Sequence, residues 1–158
     1  MIKLECMNNN IRRLELMIRK LENNDVDRVM DIWLKSTMKA HDFIEKKYWE
    51  DNYNTVKNVY IPMAETYVYE KENIKGFISI INNEFIGALF VDNDSQGQGI
   101  GKALIEHVKS KYDSLSLAVY KDNYKSVEFY KKMGFKIKSE NTNEDTNFVE
   151  YIMENQGK

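Results

Sequence analysis

The sequence predicts one mixed α/β layer fold, a central sheet flanked by helices in the order β-α-α-β-β-β-α-β-α-β-β, and three observations carry that expectation. Stretches with apolar residues at helical spacing alternate with short runs rich in β-branched and aromatic residues. The runs between Glu65 and Val91 are separated by Glu72-Asn73 and Asn82-Asn83, residues that tolerate the positive φ of two-residue hairpin turns. After Val91 comes Gly97-Gln98-Gly99-Ile100-Gly101, a strand-to-helix turn with three alternate glycines in the middle of the sheet.

Each element has its own local reason. Met17 to Leu21 alternates apolar and basic residues, as a first strand does, and Asn23-Asn24-Asp25 supply helix N-caps. Val26, Val29, Met30, Trp33 and Thr37 then recur at i, i+3, i+4, i+7 and i+11, the buried stripe of an amphipathic helix. A loop from Ala40 leads to a second helix with Tyr48, Tyr53 and Val56, expected to stop before Pro62 because proline cannot continue the ladder. The three runs of the meander follow. Ile100, Leu104, Ile105, Val108 and Tyr112 mark a helix, Leu115 to Val119 a short buried strand, and Asn123 to Lys132 a helix closed by Gly134 at its C-terminal cap. Runs near Phe135–Lys138 and Phe148–Met153 complete the sheet.

Composition narrows the function classes. The chain has 158 residues, 42% hydrophobic and 30% charged, with a formal net charge of -2 and no basic stripe, so no nucleic acid is expected as a partner. One cysteine, Cys6, excludes an internal disulfide, and with only two histidines no metal site is expected. No apolar run approaches the roughly 20 residues that cross a bilayer, so a cytoplasmic protein without a membrane partner is expected. A homodimer stays open. Residues 1–16 form a leader, disordered or foreign to the native protein, ahead of a single domain at 17–158. The seam at Met17 fits a natural start there, with Arg12-Arg13 written AGG-AGG as a ribosome-binding sequence; a flexible or short helical leader is the other reading.

The glycine turn points to chemistry. A Gly-rich turn that opens a helix presents unpaired N–H groups at the positive end of the helix dipole, and without Cβ atoms the backbone approaches a pyrophosphate closely. A plain strand-to-helix turn is the competing reading. The dinucleotide fingerprint fails at Lys102, where a glycine or alanine is required, and no G-K-[S/T] is present for a P-loop.

Gln96-Gly97-Gln98-Gly99-Ile100-Gly101 instead resembles the Q/R-x-x-G-x-G/A signature of the GNAT N-acetyltransferases. Leu117 to Phe135 is similar to that family's second half: a strand, Asn123 opening a helix, then Tyr130 shortly before Gly134-Phe135. "AHDFI" and "ALFVD" are similar to a bacterial, YjaB-like branch. The resemblance implies a GNAT-like, mostly antiparallel sheet and an acetyl-CoA-dependent N-acetyltransferase. Its acceptor is a small-molecule amine or a protein amine, acetylated by direct transfer.

The resemblance also assigns roles. Gln96, Gly97, Gln98, Gly99, Ile100, Gly101 and Lys102 cradle the pyrophosphate of acetyl-CoA, and the backbone of Leu89, Phe90 and Val91 pairs with the pantetheine arm and polarises the thioester carbonyl. Tyr130 is the general acid and touches the cofactor; its other reading is a core aromatic beside Phe129. Asn123 contacts the cofactor or caps its helix. His41, Asp42 and Phe43 line the acceptor pocket, together with the second helix bearing Tyr48, Trp49 and Tyr53 and the strands near the C-terminus. Those rings, with the acids Asp42, Glu45, Glu50 and Asp51, suit a cationic amine, and core packing explains the rings equally well. The base is His41 or Glu84, or the proton leaves to solvent. His107 reads as a surface or packing residue. A non-catalytic acyl-CoA-binding module on the same fold is the alternative function.

Overall fold

A computed structural model describes residues 9, 10 and 12–155. The elements are β1 (Ile18–Lys20), a 3-10 turn (Asn23–Asp25), α1 (Val26–Ala40), α2 (Lys46–Thr55), β2 (Glu65–Lys71), β3 (Asn73–Ile81), β4 (Phe85–Val91), α3 (Ile100–Lys111), β5 (Leu115–Tyr120), α4 (Tyr124–Lys132), β6 (Lys136–Thr142) and β7 (Val149–Asn155). The order is the expected one. Seven strands form one sheet, β1-β2-β3-β4-β5-β7-β6, antiparallel throughout except where β4 meets β5 in parallel.

Turn chemistry sets the meander. Asn82 and Asn83 both have positive φ, 54° and 61°, which is the backbone twist a two-residue hairpin needs, and Glu72 turns β2 into β3 at φ 71°. Alternation along the strands then divides the core between two faces. Tyr67, Tyr69, Ile78 and Ile80 pack under α3 and α4 with Leu104, Val108 and Val127. Val68 and Phe77 pack on the other face under α1 and α2 with Val29, Met30, Trp33 and Trp49. Arg19 bridges β1, the 3-10 turn and β2, donating to Asp25 at 2.7 Å and to Glu70 at 3.1 Å.

The second helix departs from expectation at its end. Instead of stopping ahead of Pro62, the chain passes through a π turn (Val56–Tyr60) into a last helical turn (Ile61–Met63) that contains the proline. The carbonyl that the Pro62 ring would crowd, four residues back at Asn58, lies inside the widened turn. Of the expected leader, residues 1–8 and 11 lie outside the described residues; Asn9, Asn10 and residues 12–15 are helical, and Leu14 and Met17 pack against the α3 side of the core. No described helix is long and apolar enough to cross a membrane.

Leu104, with 0% exposure, locks α3 onto the sheet. Leu104→Ala is expected to lower unfolding free energy by about 2–5 kcal/mol, read from urea denaturation, while the sheet's circular dichroism is retained.

Candidate active site

Strands β4 and β5 begin as neighbours and then part. They pair only at Phe85 with Ser116 and Ile86 with Leu117. At the next residue β4 carries a bulge: Ser79 faces Ala88 and Ile80 faces Ile86, leaving Gly87 without a partner on β3. A Cβ there would fall 2.7 Å from Ile81 Cδ1, so glycine suits the crowded bulge. From Gly87 to Val91 the β5-facing edge has no partner strand; its last carbonyl, that of Val91, accepts from Ser36 Oγ at 3.1 Å.

Two adjoining hollows fill the wedge. The one at its open end, about 350 Å³, is lined by Leu89, Phe90, Val91, Gln96, Gly97, Gly99, Ile100, Gly101 and Lys102 from β4 and the glycine turn, and by Asn123, Lys125 and Tyr130 from the α4 side. Gly97 and Gly99 hold φ of 81° and 82°, left-handed values that a side chain strains against. Gly99 is the N-cap of α3, whose first intrahelical bond runs from Ala103 N–H to Gly99 C=O at 3.0 Å. The N–H groups of Ile100, Gly101 and Lys102 therefore remain free at the positive end of a helix of 12 residues, an anion site by geometry. Gln96 turns its amide inward to donate to Val91 C=O at 3.3 Å, and Gln98 lies outside this hollow.

The inner hollow, about 180 Å³, is lined by His41, Trp49, Gly87, Leu89, Phe90, Tyr120, Asn123, Tyr130 and Glu150 among others. Tyr130 faces both hollows, and its burial pushes the phenol well above its ordinary value near 10, so it stays a donor. Asn123 caps α4 by accepting from Ser126 N–H at 3.4 Å. Its amide nitrogen also donates to His41 Nε2 at 3.3 Å.

The protonation of His41 follows from its partners. Nδ1 lies 2.8 Å from the Thr37 carbonyl oxygen, and a carbonyl only accepts, so Nδ1 carries the proton. Burial lowers the imidazole pKa below its usual 6.5, outweighing the bond to Thr37. The ring is neutral at pH 7, with the Nε2 lone pair turned to Asn123 in the inner hollow.

The expected residues thus divide. His41, Asn123, Tyr130, the β4 backbone and most of the glycine turn meet in one cleft. Phe43 stands edge-on to His41, 5.9 Å between centroids. Asp42 is exposed and lines neither hollow. Glu84 is exposed at the β3–β4 turn, where its carbonyl, not its carboxylate, is engaged by Ser116 N–H at 2.9 Å. It sits at the closed end of the wedge, because β4 and β5 are still paired there. His107 packs edge-on against Tyr67 and lines neither hollow. Of the second-helix rings expected near the acceptor, Trp49 lines the inner hollow and Tyr48 and Tyr53 do not. Gly87, Lys125, Tyr120 and Glu150 were not singled out for the cleft. Only Gly87 had a local signal, a lone glycine within a strand run.

With this geometry in place, the comparisons agree on a family. The model of the acetyltransferase (GNAT) domain matches residues 35–154. The peptidyl-lysine N-acetyltransferase YiaC of Escherichia coli is 33% identical over 138 residues, 87% of this chain and 94% of its own length. The solution structure of apo-form YjaB from Escherichia coli superimposes with a TM-score of 0.77 at 28% identity, covering 89% of this chain and 97% of that one. A PaiA N-acetyltransferase from Thermoplasma acidophilum in complex with coenzyme A gives a TM-score of 0.72 over 88% of this chain and 97% of its own; at 21% identity it speaks for the fold alone.

A nitrogen-detected NMR titration is expected to find His41 as the neutral Nδ1–H tautomer at pH 7, protonating only below pH 6.5. Since its folded pKa is depressed, its contribution to stability is full above the unfolded value of about 6.5 and is lost as pH falls through the folded one. A ring that is cationic at pH 7 contradicts the assignment.

Proposed function

The chain belongs to the GNAT family of N-acetyltransferases, and on that premise we propose that it moves the acetyl group of acetyl-CoA directly to the ε-amine of a protein lysine, with Tyr130 as general acid and His41 as base. The observation that carries the reading is the wedge itself: β4 and β5 part after two paired positions, with the glycine turn at the open end and Tyr130 facing both hollows. Two peptidyl-lysine N-acetyltransferases among the relatives, YiaC and YjaB, favour lysine as the acceptor.

The residues present fit acetyl-CoA. Nothing lies within 4 Å of the position a Gly97 side chain would take, so the space above the turn is open to a bulky group. The free N–H groups of α3 suit the pyrophosphate, with Lys102 and Lys125 at the rim. The edge from Gly87 to Val91, which has no partner strand, suits an amide-bearing arm laid down as a substitute strand, and an N–H of that edge donates to the thioester oxygen as it gains charge.

The proton steps follow. As the amine attacks, the C–N bond forms and the nitrogen becomes acidic; His41 Nε2, neutral and in the inner hollow, accepts its proton as the Asn123 amide gives up its bond to that lone pair. The C–S bond then breaks, and the Tyr130 phenol hydrogen-bonds and protonates the departing thiolate. The pocket that raises the phenol's pKa also raises that of a buried thiol, which keeps the transfer feasible. Solvent returns the proton to Tyr130 and removes the one on His41. Glu84 has no part in this scheme.

Calorimetry with acetyl-CoA and thiol release with a lysine peptide test it on two variants. Tyr130→Phe is expected to lower kcat by about 100-fold or more with acetyl-CoA affinity kept. Gly99→Ala, strained by about 1–2 kcal/mol at its left-handed φ, is expected to weaken acetyl-CoA binding instead. An unchanged kcat in Tyr130→Phe returns Tyr130 to a packing role, and binding without turnover favours a non-catalytic acyl-CoA module.

A further inference from the structure

Beside His41 the inner hollow is lined by the rings of Trp49 and Tyr120, and behind them the cluster continues to Phe43 and Phe148, which lie outside the lining. Trp49 lies 5.0 Å from the imidazole with 30° between planes, Tyr120 stands edge-on at 5.3 Å, and Phe43 bridges Tyr120 to Phe148 at 5.8 and 5.0 Å. Glu150 of β7 lines the same hollow, its Oε1 accepting from Asn143 Nδ2 at 2.8 Å. Burial chiefly, and then the nearby charges of Glu150 and of Asp145 in the β6–β7 turn, push the Tyr120 phenol up to about 12. No lysine or arginine lines the hollow, and among the described residues Glu150 forms no ion pair.

A second group there is also unsatisfied. Trp49 is only 9% exposed, lines the same hollow, and its indole N–H is buried without an acceptor. Such a donor is ordinarily paired, since leaving it bare forfeits a hydrogen bond. One hollow therefore holds a carboxylate without a cation, and the wall beside it carries an indole N–H that has no acceptor and is reached once the ring turns.

We infer that this end of the hollow is the subsite for a lysine presented on a peptide, Glu150 drawing in the ammonium and the Trp49 indole N–H donating to a peptide carbonyl. The assignment deepens the lysine reading above and rests on it. A free polyamine offers cations but no acceptor oxygen, whereas a peptidyl lysine offers both. The rings of Trp49 and Tyr120 in the lining offer the ammonium cation–π attraction and the aliphatic stem an apolar surface. The ammonium gives its first proton to solvent, and the neutral amine, released from the carboxylate, advances to His41 and the thioester, where its second proton passes to His41. The acids of the α1–α2 region, Asp42, Glu45, Glu50 and Asp51, are all exposed and line neither hollow, so Glu150 takes the part their charge suggested.

Steady-state kinetics at saturating acetyl-CoA, with a lysine peptide and with spermidine, test the assignment. Glu150→Gln keeps the oxygen that accepts from Asn143 and removes the charge; its KM for the lysine peptide is expected to rise about tenfold or more, with a smaller change in kcat and an unchanged KM for acetyl-CoA. Trp49→Phe keeps a ring without the N–H and is expected to raise KM for the peptide but not for spermidine. On the unmutated protein, a peptide carrying trimethyl-lysine is expected to inhibit at least about tenfold more tightly than the same peptide carrying norleucine. Equal inhibition by the two peptides, or an unchanged KM in Glu150→Gln, overturns the subsite while leaving the acetyltransferase reading intact. A protein that binds acetyl-CoA yet turns over no lysine peptide removes both.

Discussion

The parting of β4 from β5 is the constraint on which the rest of the site depends. Had the two strands stayed paired, the backbone edge from Gly87 to Val91 would be spent on the sheet, and α4 could not bring Tyr130 into the gap. An open wedge costs the sheet its hydrogen bonds at the centre, where burial makes each loss matter. The fold tolerates this because the flanking contacts are strong: β3 holds β4 along its other edge, β7 holds β5 along its full length, and two apolar cores clamp the sheet from both faces. The bulge at Gly87 is where β4 leaves register, and it marks the boundary between structural and available backbone.

The two walls of the wedge are joined by one polar chain. Thr37 C=O fixes the proton on His41 Nδ1, which leaves Nε2 to accept from Asn123, which in turn caps α4 through Ser126. The end of α1 and the start of α4 are thereby held in one geometry, and α4 carries Tyr130 two turns further on. His41 and Tyr130, the proposed base and acid, are set from opposite sides of the gap. Burial acts on both in the direction that preserves the needed form, a neutral imidazole and a protonated phenol.

What was legible in the sequence is what local chemistry decides. The two asparagines at 82 and 83, the left-handed glycines at 97 and 99, the cap at Asn123 and the closing Gly134 each state a backbone requirement that neighbours in the chain can read. What was not legible depends on distance along the chain or on register. His41 and Asn123 are 82 residues apart, and no local pattern pairs them. Glu84 adjoins β4 in the chain, and only the register of β4 on β5 sets it at the closed end of the wedge. Glu150 sits in a run that reads as an ordinary final strand; only the antiparallel match of β7 to β5, which sets it opposite Tyr120, turns it toward the hollow. Pro62 was read as a stop because the π turn that accommodates it leaves no simple mark in the sequence.

The most direct test of the account is amide hydrogen exchange with and without saturating coenzyme A. If the wedge is the cofactor slot, the β5-facing amides of β4 beyond Gly87 and those of the first turn of α3 exchange readily in the free protein and become protected on binding, while the paired stretch at Phe85 and Ile86 is unchanged. Protection that appears elsewhere, with β4 and the glycine turn unaffected, contradicts it.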